Sequence, residues 1–341
     1  MSSDSAERFP NVLITGGAGY VGAVLTPQLL DAGHRVTVLD LCWYGNDVLP
    51  NHENLTLVQG DLRDVDTVKQ AMQGVDAVIH LACVSNDPSF DLDPELGKSI
   101  NLDAFEPLVD AAIEAGVKRF VYASSSSVYG VSDAPDVTED HELNPLTDYS
   151  KFKAQCEPVL LSKASETFVP VVIRPATVCG YSPRQRLDVI VNILTNHAIN
   201  NRKIRVFGGD QLRPNLHIND MADCYEAVLA ADDATVAGKV WNVGSTNHPV
   251  SEIAAIVKRV VEEEMPELGE IAIGVEPTDD PRSYHVNSGK VAAELGFTPE
   301  LTIEDAVRDL CFAFKAGKLP ESMSDPKYFN VKVMSDQPAT V

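Results

Sequence analysis

The chain is predicted to adopt an α/β fold in which a doubly wound parallel sheet carries a smaller C-terminal substrate-binding lobe. Three observations point there. Short β-branched runs alternate with longer amphipathic ones through the first half of the 341 residues, and such alternation builds a parallel sheet with helices on both faces. A glycine-rich stretch, NVLITGGAGYVG at 11–22, joins the first apolar run to the first amphipathic segment, the layout of a Rossmann-type dinucleotide turn. After Gly180 the pattern loosens into shorter elements richer in Pro, Asn and Arg.

Taken in order, NVLIT (11–15), RVTVLD (35–40), LTLVQG (55–60), DAVIHLA (76–82) and RFVYASS (119–125) read as five strands. Each is entered or left through Gly, Asp or Ser, residues that favour turns. Helical patterns fall between and after them, at about 19–32, 64–73, 99–116 and 148–165. VPVVIRPATV (169–178) reads as a sixth strand and KVWNVG (239–244) as a seventh. Pro27 lies inside the first helical pattern, where it removes a backbone hydrogen bond and predicts a bend, not an end. Residues 10–180, with 215–245 returning to them, are expected to form the nucleotide-binding sheet. Segments 181–214 and 246–318 are expected to form the substrate-binding lobe. Residues 319–341 hold three prolines and little periodicity, which predicts an irregular surface tail.

Charge and cysteine usage narrow the classes of partner. Fifty acidic residues against 27 basic ones give a formal charge of −23, which argues against nucleic acid or an anionic membrane as a partner. The six cysteines are scattered without a C-x-x-C pair, so a reduced cytoplasmic protein is expected, with neither a disulfide framework nor a metal site. The N-terminus MSSDSAERFP has no basic stretch followed by an apolar one, and predicts no secretory signal. No early apolar run is long enough to cross a bilayer.

The glycine turn supplies Gly16, Gly19 and Gly22 between strand and helix. The first permits a tight turn, the second lets backbone approach a pyrophosphate, and the third allows close helix packing. Tyr20 and Val21 fall inside the same turn. Asp40 ends the second strand, 18 residues beyond Gly22, where a carboxylate can accept hydrogen bonds from a ribose. Leu41 and Cys42 follow it, and the lack of a basic residue there favours NAD over NADP. In GDLRD, Asp61 and Leu62 are candidates for the adenine end, with a turn-capping aspartate as the plain alternative. Leu81 and Ala82 close the fourth strand at the level of the cofactor.

DYSKFKAQCE (148–157) places Tyr149 and Lys153 four residues apart, on one face of a helix. A phenol of ordinary pKa near 10 is a poor base. A neighbouring ammonium and the positive ring of NAD would favour the phenolate, which could take a sugar hydroxyl proton as hydride leaves the same carbon. Y-x-x-x-K alone is common on amphipathic helices. After a dinucleotide turn and a serine cluster at a strand end, it reads as catalytic.

In combination and order, TGGAGYVG, GDLRD, HLA, SSSSVYG, YSKFK and RPATVCG resemble the extended short-chain dehydrogenase/reductases, specifically the NAD-dependent epimerase/dehydratase family acting on nucleotide sugars. The resemblance spans about residues 10–315. It implies that the catalytic serine is Ser125, four before Tyr129 of the V-Y-G motif, with Ser124 shaping the strand end. Members that act as 4,6-dehydratases carry Asp then Glu at the next two places, and 3,5-epimerising members commonly a cysteine at the second. Here these are Ser126 and Ser127, whose hydroxyls cannot serve as the acid and base of an elimination. The reading that follows is C4 epimerisation of a nucleotide-diphosphate sugar through a transient 4-keto intermediate. The alternatives are a 4-keto-sugar reductase, an epimerase of a modified sugar such as a heptose, and, in another class, a non-catalytic NAD-binding regulator.

The resemblance further implies Arg213, Arg282 and Asn192 as contacts to the substrate diphosphate, Ser126 as a sugar contact, Asn101 beside a catalytic water network, and a homodimer built on the helices near 99–116 and 148–165. Arg184 and Arg186 in SPRQRLD are further candidates near the sugar. Ser85 stands near where galactose epimerases carry a lysine. Cys179 reads as a small apolar filler in preference to an acid/base, and His80 and His217 as structural in preference to catalytic.

Overall fold

The computed structural model describes residues 2–132, 134, 136–278 and 283–335. Twelve strands occur among them: β1 (Asn11–Thr15), β2 (Arg35–Asp40), β3 (Leu55–Gln59), β4 (Ala77–His80), β5 (Arg119–Ala123), β6 (Val169–Pro175), β7 (Thr177–Cys179), β8 (Lys203–Phe207), β9 (Leu212–His217), β10 (Val240–Val243), β11 (Thr246–Pro249) and β12 (Ala272–Glu276). Seven form one sheet in the order β10-β6-β5-β4-β1-β2-β3, with every pairing parallel. Such strands are covered on both faces and read as continuous apolar runs; all four residues of β4 are buried. The winding reverses between β1 and β4, so a crevice opens beyond their C-terminal ends.

Helices close both faces. On one, helix Gly22–Asp31 packs Leu25 and Leu29 with Tyr225, Val228 and Trp241. On the other, helices Phe105–Glu114 and Asp148–Ser162 bring Phe105, Leu108 and Leu160 against Phe120 and Phe168. A further hydrophobic cluster joins β8 to helices Ile190–Asn201, Val250–Glu264 and Ile303–Lys315. Small sheets β11-β9-β7 and β12-β8 flank it. No helix among the described residues is long and apolar enough to cross a membrane.

The expected elements differ from the structure in four places. The first helix starts at Gly22, because residues 16–21 are spent on the turn, and it runs through Pro27 to Asp31. The sixth run breaks at Pro175, which has no N–H for a ladder, and the chain re-enters as β7 in a different sheet. The pattern at 99–116 is one π-helical turn, Ser99–Asp103, followed by helix Phe105–Glu114. The tail is ordered as far as it is described: a 3₁₀ turn Pro326–Tyr328 leads into helix Asn330–Ser335, which packs back beside the crevice.

Candidate active site

A cavity of about 720 Å³ occupies the crevice. Its floor is the glycine turn. Gly16 has φ +78°, and a Cβ there would stand 2.7 Å from the Ala82 nitrogen. A Cβ at Gly22 would stand 2.5 Å from the Gly17 Cα, so the helix reaches the strand only because no side chain intervenes. Gly16, Gly19, Tyr20, Val21 and Gly22 all line the cavity, as do Leu62, Leu81 and Ala82. Asp40 faces it from the end of β2, its carboxylate accepting from the Cys42 N–H at 2.7 Å and the Ala18 N–H at 3.0 Å. Burial pushes the Asp40 carboxyl up, opposed by those two N–H groups and by Arg184. Asp61 lines the same end, but its carboxylate accepts from the Arg63 N–H at 2.8 Å and pairs with the Arg63 guanidinium at 2.6 Å. Asp61 therefore caps its turn while also lining the cavity. A glycine cradle and a strand-end carboxylate are what a dinucleotide requires, and the residues present fit NAD.

The serine run lies where β5 ends. Ser124 is buried and donates to Glu157 Oε1 at 2.5 Å, and Glu157 pairs with Arg174 at 2.6 Å. Arg174 also donates to the Tyr129 hydroxyl at 2.7 Å, and that hydroxyl donates to Asn242 Oδ1 at 2.8 Å. This network behind the cavity fixes both ends of the serine loop, and neither Glu157 nor Arg174 stands out in the sequence. Ser125 caps the 3₁₀ turn Ser126–Tyr129, accepting from the Ser127 N–H, and its Oγ lies 2.8 Å from Ser127 Oγ. Ser125, Ser126 and Ser127 all line the cavity.

Tyr149 and Lys153 sit one turn apart on helix Asp148–Ser162, which starts with a Thr147–Ser150 capping box. The Ser125 hydroxyl lies near enough to the Tyr149 phenol to favour its ionisation. Lys153 is buried, donates to the Ala123 carbonyl at 2.6 Å, and holds its ammonium 6.0 Å from the centre of the Tyr149 ring. Burial, then Cys83, push the phenol well above its usual value, while Ser125 and Arg186 act the other way. Burial therefore works against the phenolate that the ammonium and the positive ring of NAD are expected to favour. Desolvation outweighs an ammonium that is turned toward a backbone carbonyl.

The substrate-facing expectations fare unevenly. Arg213 lines the far end of the cavity with Tyr284, over whose ring its guanidinium lies at 5.5 Å. Arg282 lies outside the described residues. Asn192 is a correction: it is fully buried and absent from the cavity wall. Its amide accepts from the Gly180 N–H and donates to the Tyr20 hydroxyl and the Arg186 carbonyl. Helix Ile190–Asn201 turns Ile190, Ile193, Leu194 and His197 to the cavity instead, the i, i+3, i+4, i+7 stripe that excludes position 192. The amide of Asn101 clamps both backbone groups of Val84, at 2.8 and 2.9 Å. Ser85 binds the Asn330 amide at 2.7 Å, and Arg186 pairs with Asp188 at 2.8 Å; all four side chains line the cavity.

Cys179 is buried outside the cavity wall and its thiol is pushed up to about 12 by burial and by Asp220, so it stays a protonated thiol at neutral pH and offers no thiolate base. His80 is buried, bonded to Thr15 Oγ1 at 2.6 Å, and held neutral with its pKa lowered to about 3 by burial and Lys153. His217 caps a helix by accepting from the Asn219 N–H. Among the described residues, no group of three or more His, Cys, Asp or Glu is placed to hold a metal ion.

Comparison with known proteins agrees with this geometry. The NAD dependent epimerase/dehydratase family matches residues 12–244. An uncharacterized protein, y4nG of Sinorhizobium fredii, is 34% identical over 68% of this chain, which spans 56% of that protein's length. A UDP-glucose 4-epimerase of Corynebacterium glutamicum is 28% identical over 86% of this chain and 94% of its own. A dTDP-glucose 4,6-dehydratase of Streptomyces griseus is 28% identical over 87% and 92%. The solved structure of MoeE5 in complex with UDP-glucuronic acid and NAD superposes with a TM-score of 0.76 at 26% identity, covering 90% of this chain and 99% of that one. NAD is the cofactor that the glycine cradle and Asp40 are built to receive, and the chain belongs to the NAD-dependent epimerase/dehydratase family.

Proposed function

We propose that the protein epimerises a nucleotide-diphosphate sugar at C4. The observation that carries this reading is that Ser125, Tyr149 and Lys153 meet at one wall of the cavity while serines fill the two positions after Ser125. NAD, when bound, accepts hydride from C4 and returns it. Tyr149 in its ionised form takes the C4 hydroxyl proton and later gives it back, and Ser125 orients that hydroxyl. Lys153 and Arg186 supply the positive charge that favours the phenolate. Arg213 and Tyr284, at the far end, take the nucleotide diphosphate. Inversion at C4 would require the 4-keto sugar to turn over in the cavity between the two hydride transfers. We also propose assembly as a homodimer through helices Phe105–Glu114 and Asp148–Ser162, which light scattering measures.

A second reading, 4,6-dehydration, would have to draw on a carboxylate. Asp188 is bonded to Arg186 and to the Asn330 N–H, and Asp87 is a wall residue whose charge reaches Tyr149. Incubation with UDP-glucose, UDP-glucuronic acid, UDP-N-acetylglucosamine and dTDP-glucose separates the readings by NMR and mass spectrometry. Inverted C4 at unchanged mass is expected. Loss of one water would refute epimerisation in favour of dehydration, and a gain of two hydrogens by a 4-keto nucleotide sugar supplied with NADH would mean reduction.

A further inference from the structure

Arg184 has a use that the catalytic reading leaves unexplained. Its side chain is 4% exposed, yet Nε and Nη1 have no hydrogen-bond partner. Leaving donors of a buried cation unpaired is costly, and such a group in a ligand cavity points to an anion that arrives from outside. Burial lowers its pKa only to about 10, so the guanidinium is charged at neutral pH.

Its neighbours say which end of the cavity it serves. The guanidinium lies 3.6 Å from the centre of the Tyr44 ring, four residues beyond Asp40. Its charge reaches both the Asp40 carboxylate and Tyr20 of the glycine turn. The third nitrogen, Nη2, donates to Asn330 Oδ1. Asn330 opens the C-terminal helix and is tied down twice more: its N–H donates to Asp188 at 2.9 Å and its amide to Ser85 at 2.7 Å. The helix is itself anchored. Met334 packs with Val84, Phe90 and Ile100 beside Trp43 and Tyr149, and Asn330 and Val331 form part of the cavity wall.

We propose that the C-terminal helix Asn330–Ser335 is part of the cofactor site, and that Asn330 positions Arg184 to hold the diphosphate of NAD from the side opposite the glycine turn. The diphosphate of a nucleotide sugar has the same chemistry. The Tyr44 ring under the guanidinium, just beyond the strand that ends at Asp40, favours the dinucleotide for Arg184. The proposal depends on NAD binding alone and stands whichever reaction is catalysed.

The test is calorimetric titration of the NAD-free protein with NAD, ADP, adenosine and UDP, in the wild type, Arg184→Met and Asn330→Ala. Arg184→Met should weaken NAD and ADP together by roughly 10- to 100-fold, the range of a charged hydrogen bond, with adenosine and UDP unchanged. Asn330→Ala, which leaves Arg184 in place, should weaken NAD and ADP by a smaller factor and speed NAD release on dilution. The melting temperature without ligand shows whether each variant is folded; if Arg184→Met is not, Asn330→Ala carries the test. Loss of UDP binding in place of NAD binding would move Arg184 to the substrate and overturn the proposal. Unchanged NAD affinity and release in Asn330→Ala would overturn the role of the helix.

Discussion

The dinucleotide end of the cavity is made of backbone at the ends of parallel strands, whereas the substrate end is made of side chains gathered from distant stretches. Gly16, Gly22, Leu81 and Ala82 act through their main chain or their smallness. At the other end, Arg213, Tyr284 and His197 come from a short strand, a loop and a helix. A site made of backbone is rigid because the sheet itself fixes it. A site made of side chains can be re-specified by substitution without disturbing the fold. The difference predicts that damage at the first end moves cofactor binding and stability together, and that damage at the second moves substrate affinity alone.

Tyr149→Phe, on the border between the two, should have the largest effect. Loss of proton transfer should lower turnover by about 10²- to 10⁴-fold, while NAD titration is unchanged. Wild-type turnover in that variant would remove the catalytic assignment. Glu157→Gln should come next, because it strands the Arg174 cation in the interior. A broken buried pair costs about 3–5 kcal/mol, read as a fall in urea midpoint, and turnover should drop as the serine loop loosens.

The neutral His80 gives the sheet a pH dependence. Its folded pKa, about 3, lies below the ordinary 6.5, so its contribution is complete above pH 6.5. It is lost as pH falls toward 3, at about 1.4 kcal/mol per pH unit. Urea midpoints between pH 7 and 4 should fall, and the slope should flatten in His80→Asn. Smallest is Arg213→Ala, expected to raise KM by about tenfold, the range of one charged contact, with kcat and NAD affinity held. A matching loss of NAD affinity would erase the distinction between the two ends.

What the sequence discloses follows the same division. Gly16, Gly19, Gly22 and Asp40 are legible because their roles depend on local geometry, which spacing encodes. Tyr149 and Lys153 are legible as a pair because a helix fixes their relative direction, although the electrostatics of the phenol depend on burial that no spacing reveals. Asn192 misleads because its helix turns a different stripe to the cavity. The direction of the Asn101 amide, toward Val84, is set by a π-turn that spacing does not show. Glu157, Arg174 and Asn330 are invisible beforehand: each is an ordinary residue until tertiary structure brings its partner from elsewhere in the chain. The tail reads as irregular because its six-residue helix is too short to show periodicity and is held by contacts, not by propensity.

The edge strand β10 has a consequence for how the protein is made. It pairs with β6 and buries Trp241 against that face of the sheet, yet residues 176–239 must be synthesised between the two. At roughly 5–20 residues per second, a ribosome takes roughly 3–13 s to cross that interval. During that time the nascent sheet offers the unpaired edge of β6 to its surroundings, and an open parallel edge invites wrong pairing. Val171 and Ile173, buried in the finished molecule, lack for those seconds the neighbouring strand that completes their sheet.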